Sequence, residues 1–132
     1  IAGTEEVLEV DTICLAVGLS PLAELAWMAG CKFSYLPALG GWVPVHDEDM
    51  ESSPQGIYVA GDLAGIEEAS TAMEEGRLAG LSAAEALGYL SPEVAETRKI
   101  EVRERLAALR IGSFGDGRAM AKKELLRARC KK

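Results

Sequence analysis

Gly56-Ile57-Tyr58-Val59-Ala60-Gly61-Asp62 is the stretch that decides the fold class of this chain. Ile57, Tyr58, Val59 and Ala60 form a brief apolar, β-favouring run between glycines, which reads as a short buried strand. Gly61 lets the backbone pass close to a neighbour, and Asp62 follows at the strand's C-terminal end, where open α/β sheets place their ligands. Leu63-Ala64-Gly65-Ile66 then leads into a helical stretch over 67–87, closed by Gly88. A strand, a glycine-flanked acid and a helix N-terminus in quick succession describe a ligand cradle of the α/β class. The plainer alternative for Asp62 is a helix-capping residue in an ordinary turn.

Working outward, residues 5–9 and 12–16 read as strands, the second bounded by Val17-Gly18. Residues 21–29 read as a short helix stopped by Gly30, and 31–35 and 42–45 as short strands about a turn at Pro37 and Gly40-Gly41. Residues 46–54 read as an exposed polar loop. On the long helix, Ala69, Met73, Gly76, Gly80 and Ala84 recur at spacings of three and four. Each glycine there costs about 1 kcal/mol relative to alanine, so this face is expected to pack tightly on a sheet or near a cofactor.

These residues resemble the second FAD-binding motif of the two-dinucleotide-binding-domain flavoproteins, the pyridine nucleotide-disulfide oxidoreductase superfamily. That motif is a strand ending in Gly-Asp, a short loop, and a helix carrying an Ala and a Glu-Gly pair. Here it is Gly61-Asp62, Ala69 to Ala72, and Glu75-Gly76. Upstream, Val10-Asp11-Thr12-Ile13-Cys14-Leu15-Ala16-Val17-Gly18-Leu19-Ser20-Pro21 is similar to the family strand ending in Ala-Thr-Gly, with Val17 in place of Thr. Met50 to Gly56 resembles the Thr-Ser-Pro-Gly approach to the Gly-Asp strand. Gly65-Ile66 and Glu75-Gly76-Arg77-Leu78-Ala79-Gly80 look closest to the FAD subunits of opine oxidases, proline or hydroxyproline dehydrogenases and cyanide synthases.

The resemblance implies an α/β fold: part of a Rossmann-like FAD-binding domain with short strands, a long helix after the Gly-Asp strand and a C-terminal helical appendage. It implies an FAD-dependent oxidoreductase whose parent oxidises an amine or imino acid by hydride transfer, with NAD(P) as a further cofactor candidate. Asp62 would accept a hydrogen bond from a ribitol hydroxyl, beside Gly61. The backbone of Glu68 and Ala69 would face the flavin pyrimidine, and Gly18 would lie near the cofactor. No residue is assigned a catalytic role. The family's Gly-x-Gly-x-x-Gly phosphate loop is absent, since Gly112, Gly115 and Gly117 have the wrong spacing and follow a polar helix. With the chain opening on Ile1, the expectation is a C-terminal fragment that alone binds little FAD. Its partners would be the remainder of the parent chain and a partner subunit, with a small-molecule substrate in the parent. Some relatives carry a cysteine-rich iron–sulfur domain after this region, and only Cys130 lies near the end here.

Charge divides the chain in two. Residues 1–90 hold 15 acids and 2 bases, a net of −13, whereas 91–132 hold 6 acids and 12 bases, a net of +6. The junction is Tyr89-Leu90-Ser91-Pro92, where Ser91 suits a helix N-cap and Pro92 the first turn. The expected modules are therefore 1–90, part of the FAD domain, and 91–132, a basic helical appendage. Ala95, Val102, Leu106 and Leu109 form one stripe of its first helix; 112–117 reads as a flexible connector and 118–129 as a final basic helix. Such a tail docks on its own body, contacts a partner subunit, or binds nucleic acid. The third is set aside because Phe114 is its only aromatic and acids interrupt its bases. A non-catalytic subunit-interaction module with a basic docking tail is the alternative to the flavoenzyme.

Among 132 residues, 48% hydrophobic, no apolar run approaches the roughly 20 residues of a membrane span. Cys14, Cys31 and Cys130 form no C-x-x-C pair, which suggests reduced thiols and a cytoplasmic setting. Cys14 is expected to sit as a small hydrophobe in a buried strand. His46, the one histidine, has Asp47, Glu48, Asp49 and Glu51 nearby, but the spacing lacks the pattern of a calcium loop, and no metal is expected. Ser52, Ser53, Ser70 and Thr71 lack the base and orienting group of a hydrolase.

Overall fold

The computed structural model describes residues 2–130, with side chains through Arg127; the expectation drawn from Ile1 and the thiol of Cys130 lie outside the described residues. The element order is α1 (Glu24–Met28), β1 (Phe33–Leu36), a 3-10 turn (Pro37–Leu39), β2 (Gly41–Pro44), a second 3-10 turn (Gly61–Ala64), α2 (Ala69–Ala86), α3 (Pro92–Leu109) and α4 (Asp116–Cys130). The fold is mixed α/β, with the long helix after Gly61-Asp62 and the C-terminal helices where the sequence places them.

β1 and β2 form an antiparallel hairpin in which Tyr35 faces Trp42 and Ser34 faces Val43. The Tyr35 and Trp42 rings meet edge-on with centroids 5.3 Å apart, and Trp27 of α1 stacks on Phe33 at 4.4 Å. Such pairs add about 0.5–1.5 kcal/mol beyond area burial. One core joins this hairpin to α4 through Leu36, Leu39, Val43, Val45, Ala121 and Leu125. A second joins the segment before α2 to α2 and α3 through Met50, Val59, Ala64, Leu78, Val102 and Leu106.

Ser91 caps α3, its hydroxyl accepting from the Val94 N–H at 3.4 Å, and Pro92 occupies the first turn. The buried stripe of α3 is Ala95, Lys99, Val102 and Leu106, not one that ends in Leu109, which is 42% exposed. Lys99 is tolerated there because its ammonium meets Asp49 at 2.7 Å and Glu85 at 2.6 Å. The connector is shorter than expected. A turn over 112–115 runs directly into α4, and a Cβ on Gly115 would lie 2.4 Å from the Arg110 carbonyl carbon.

Several expectations fail, each for a physical reason. Residues 5–9 and 12–16 form no strands, and Val7, Leu8, Val10, Ile13 and Leu15 are exposed. An apolar strand is stable only when neighbours take up its backbone groups and cover its faces, and no described strand lies beside them. Cys14, in the same stretch, is exposed rather than buried. The run 57–60 is extended but joins no sheet. It is held antiparallel to 50–52 by Val59 N–H to Met50 C=O at 3.0 Å and Ser52 N–H to Ile57 C=O at 2.7 Å. The loop 46–54 is not exposed throughout: His46, Met50 and Ser52 are buried, because the chain folds back under α3 and α4 here. Among the described residues, nothing packs on the glycines of the small-residue face of α2. Nothing lies within 4 Å of a Cβ placed on Gly76 or Gly80, because the opposite face, with Thr71, Glu75, Leu78 and Ser82, takes the core.

Candidate functional site

The turn that carries Asp62 is set by Gly61. Its φ of +67° is a left-handed conformation that non-glycine residues adopt at a cost. A Cβ here would lie 3.4 Å from the Ala72 Cβ, so the turn rests directly on the first turns of α2. Asp62 and Leu63 continue as a 3-10 turn, closed by the Gly65 N–H donating to the Asp62 carbonyl at 3.2 Å. The Asp62 carboxylate is exposed, and no partner for it stands among the described side chains.

Glu68 is the N-cap of α2, in extended conformation and without a side-chain cap. Its carbonyl accepts from the Ala72 N–H at 3.1 Å and the Thr71 hydroxyl at 2.6 Å, while Ala69 opens the helix in an exposed position. The first turn of α2 therefore presents backbone N–H groups and the positive end of the helix dipole to solvent. Gly61, Asp62, Glu68 and Ala69 thus belong to one turn-and-helix unit.

Gly18 is less closely held, exposed with φ +102° and nothing within 4 Å of its Cβ position. The residues after it return to the unit. A Cβ on Gly40 would meet Ile66 Cγ1 at 2.8 Å, Leu19 O at 3.2 Å and Pro21 Cδ at 3.3 Å, and the Ile66 N–H donates to Leu39 C=O at 2.9 Å. The 3-10 turn between β1 and β2 is the post against which the loop after Gly18 and the loop before α2 both lean.

Beneath the unit lies a buried ionic network that the sequence reading missed. Glu75, 2% exposed, accepts the Gly61 N–H through Oε2 at 2.9 Å. Its Oε1 accepts from Lys122 of α4 at 2.7 Å and from Arg110 at 2.5 Å. Arg110 also grips Glu67 bidentately, Nε to Oε2 at 2.8 Å and Nη2 to Oε1 at 2.7 Å, and Lys122 donates to the Ala64 carbonyl at 2.8 Å. Burial by itself would raise the Glu67 carboxyl; the Arg110 hydrogen bonds and charge, aided by Lys122, outweigh it and hold Glu67 below the usual carboxylate range. Burial would likewise lower Arg110, and its two carboxylate partners raise it above its ordinary value instead. Glu67 thus turns inward to Arg110, the C-cap residue of α3. The one signal in the sequence was the segregation of acid and base between its halves, which called for charge pairing without naming partners.

A sizeable cavity lies elsewhere. It measures about 530 Å³, is lined by His46, Glu75, Leu78, Leu106, Arg110 and Lys122 among others, and touches none of Gly18, Gly61, Asp62, Glu68 or Ala69. Among the described residues, no group of three or more His, Cys, Asp or Glu is placed to hold a metal ion, and no helix is long and apolar enough to cross a membrane.

The pyridine nucleotide-disulphide oxidoreductase family matches residues 1–76. The A-subunit of the opine oxidase of Rhizobium meliloti is 39% identical over 90 residues, covering 68% of this chain and 17% of that protein. The corresponding opine oxidase polypeptide of Agrobacterium tumefaciens (strain Ach5) is 36% identical over 93 residues, 70% of this chain and 18% of that protein. The chain therefore spans less than a fifth of the length of these relatives. No solved structure matches. By the extent of the family match, through Gly18 and Gly61-Asp62 to Glu75-Gly76, the chain belongs to the pyridine nucleotide-disulphide oxidoreductase family.

Proposed function

We propose that this chain completes an FAD site in an oxidoreductase that oxidises an amine or imino acid. The single observation that carries the reading is the exposed Asp62 carboxylate, unpartnered among the described residues, beside the uncapped N-terminus of α2, in a chain of this family. The residues fit the group. A fixed carboxylate is a strong acceptor for a ribitol hydroxyl, and Gly61 gives the turn its close approach to α2. Asp62 binds and orients the sugar alcohol. The N–H groups at Glu68 and Ala69, with the dipole behind them, stabilise negative charge at the pyrimidine edge. Gly18 and the loop after it close the same side.

When bound, the flavin would supply hydride acceptance; the protein supplies position and electrostatics. The relatives' designation as one subunit type of opine oxidases supports an amine-bearing substrate and a parent that assembles with another polypeptide. The phosphate-binding Gly-x-Gly-x-x-Gly does not occur in this sequence, so these contacts constitute half a site.

Asp62→Ala in the full-length parent tests this. Bound flavin is expected to fall by at least about tenfold, the loss of one charge-assisted hydrogen bond, with the far-UV circular dichroism unchanged. Unaltered flavin content would defeat the assignment. The 132-residue chain alone is expected to lose FAD on gel filtration; a yellow chain with micromolar affinity would show that the site is complete within it.

A further inference from the structure

His46 is 3% exposed, and its Nδ1 lies 2.8 Å from the Asp47 carbonyl. A carbonyl only accepts, so Nδ1 carries the proton and the neutral ring is left with a lone pair on Nε2. Burial, and then the charge of Lys122, push the imidazole below its ordinary value, which keeps it neutral at pH 7. Nε2 is itself buried and has no hydrogen-bond partner among the described residues. A buried acceptor left without a donor costs about 1–3 kcal/mol, and its burial calls for an explanation.

The imidazole lines the open pocket of about 530 Å³ between the 46–50 segment, α2, α3 and α4. That volume lies in the range of small-molecule sites. Apolar carbons of Met50, Leu78, Leu106, Ala107 and Leu126 supply much of the wall. Three of the four cations on it are engaged, Arg110 with Glu67 and Glu75, Lys122 with Glu75 and the Ala64 carbonyl, and Arg103 with Asp49 and Glu96; the fourth, Lys123, is exposed. An anion entering against Arg103, Arg110 or Lys122 would have to displace a carboxylate. A second buried atom without a partner, the Arg103 Nε–H donor, belongs to a side chain lining the same cavity. Among the buried polar atoms of the described residues on this wall, the open valences are therefore one acceptor and one donor, with the apolar carbons beside them.

We propose that this cavity is a binding site for an uncharged, largely apolar small molecule bearing a hydroxyl group, which donates to His46 Nε2. A hydroxyl both donates to a lone pair and accepts from an N–H at a single atom. The site is separate from the flavin-side turn and does not depend on the function assigned to that turn.

The test uses the 132-residue chain, whose one histidine makes the readout unambiguous. With ¹⁵N-labelled histidine, phenol is titrated against toluene, which matches its shape and lacks the hydroxyl. Phenol is expected to move the Nε2 resonance saturably while Nδ1 stays protonated, and to bind about five- to tenfold more tightly than toluene. His46→Phe, followed through the surrounding amides, should reduce phenol to the affinity of toluene. Should that variant fail to fold, Ala107→Trp, which fills the cavity from its wall, should abolish binding of both with the amide spectrum still dispersed. No saturable shift up to the solubility of phenol would mean that the cavity holds water only. That result overturns the proposal, as do equal affinities for phenol and toluene, or undiminished binding to a folded Ala107→Trp chain.

Discussion

Glu75 and Lys122 meet at 2.7 Å in the interior, with side chains 2% and 7% exposed, and so tie the middle of α2 to the middle of α4. The same Glu75 carboxylate holds the Gly61 N–H through its other oxygen. One acid therefore connects the turn carrying Asp62 to the C-terminal basic helices. Removing one member of such a buried pair leaves the other charge desolvated and uncompensated.

Glu75→Ala is accordingly expected to destabilise the chain by about 3–5 kcal/mol, seen as a lower urea midpoint with an unchanged m-value. Glu75→Gln keeps an acceptor for Gly61 and should cost less than Glu75→Ala. Equal losses would show that the charge pairing with Lys122 and Arg110 outweighs the Gly61 contact entirely.

Three glycines should respond in three different ways. Gly65 has φ +133°, and a Cβ there would lie 2.9 Å from the Cβ of the fully buried Leu39. Gly65→Ala should therefore cost about 1–3 kcal/mol from crowding, with backbone strain added. Gly61→Ala has φ +67° but only ordinary contact with Ala72, so strain alone should cost about 1–2 kcal/mol. Gly76→Ala, in a helix and open to solvent, should stabilise the chain by roughly 0.5–1 kcal/mol. Thermal melts of the three variants check the order.

Stability should decline on acidification in two stages. The folded-state value of His46 is depressed below 6.5, so its contribution is complete above pH 6.5 and is lost as pH falls through the lowered value. Glu67 is depressed below 4.5, so its contribution is complete above pH 4.5 and is lost below that. Chemical denaturation at a series of pH values should show both declines. His46→Leu should remove the upper one and leave the lower; an upper decline that persists would assign it to another group.

The elements legible in the sequence were those with a local cause. Ser91 and Pro92 announced the start of α3, and Gly30 and Gly88 follow the ends of α1 and α2. Two short strand-like runs about the turn at Pro37 and Gly40-Gly41 marked the hairpin. Period alone misled on α2, where the small residues mark a face that the described residues leave open and the buried face carries Glu74 and Glu75. His46 was misread for the same reason: an acidic neighbourhood looks solvated until something packs over it.

By itself the sequence determined the family, the helical segments and the position of the Gly61-Asp62 turn ahead of a helix N-terminus, since motif order, caps and glycine conformations are written in neighbouring residues. Only the tertiary structure decided which acid meets which base, that His46 is buried with a bare nitrogen, and that 57–60 pairs with 50–52. Those outcomes depend on contacts between segments far apart in the chain. Burial changes the worth of a charge or a lone pair by several kcal/mol, and no local pattern records what will cover it.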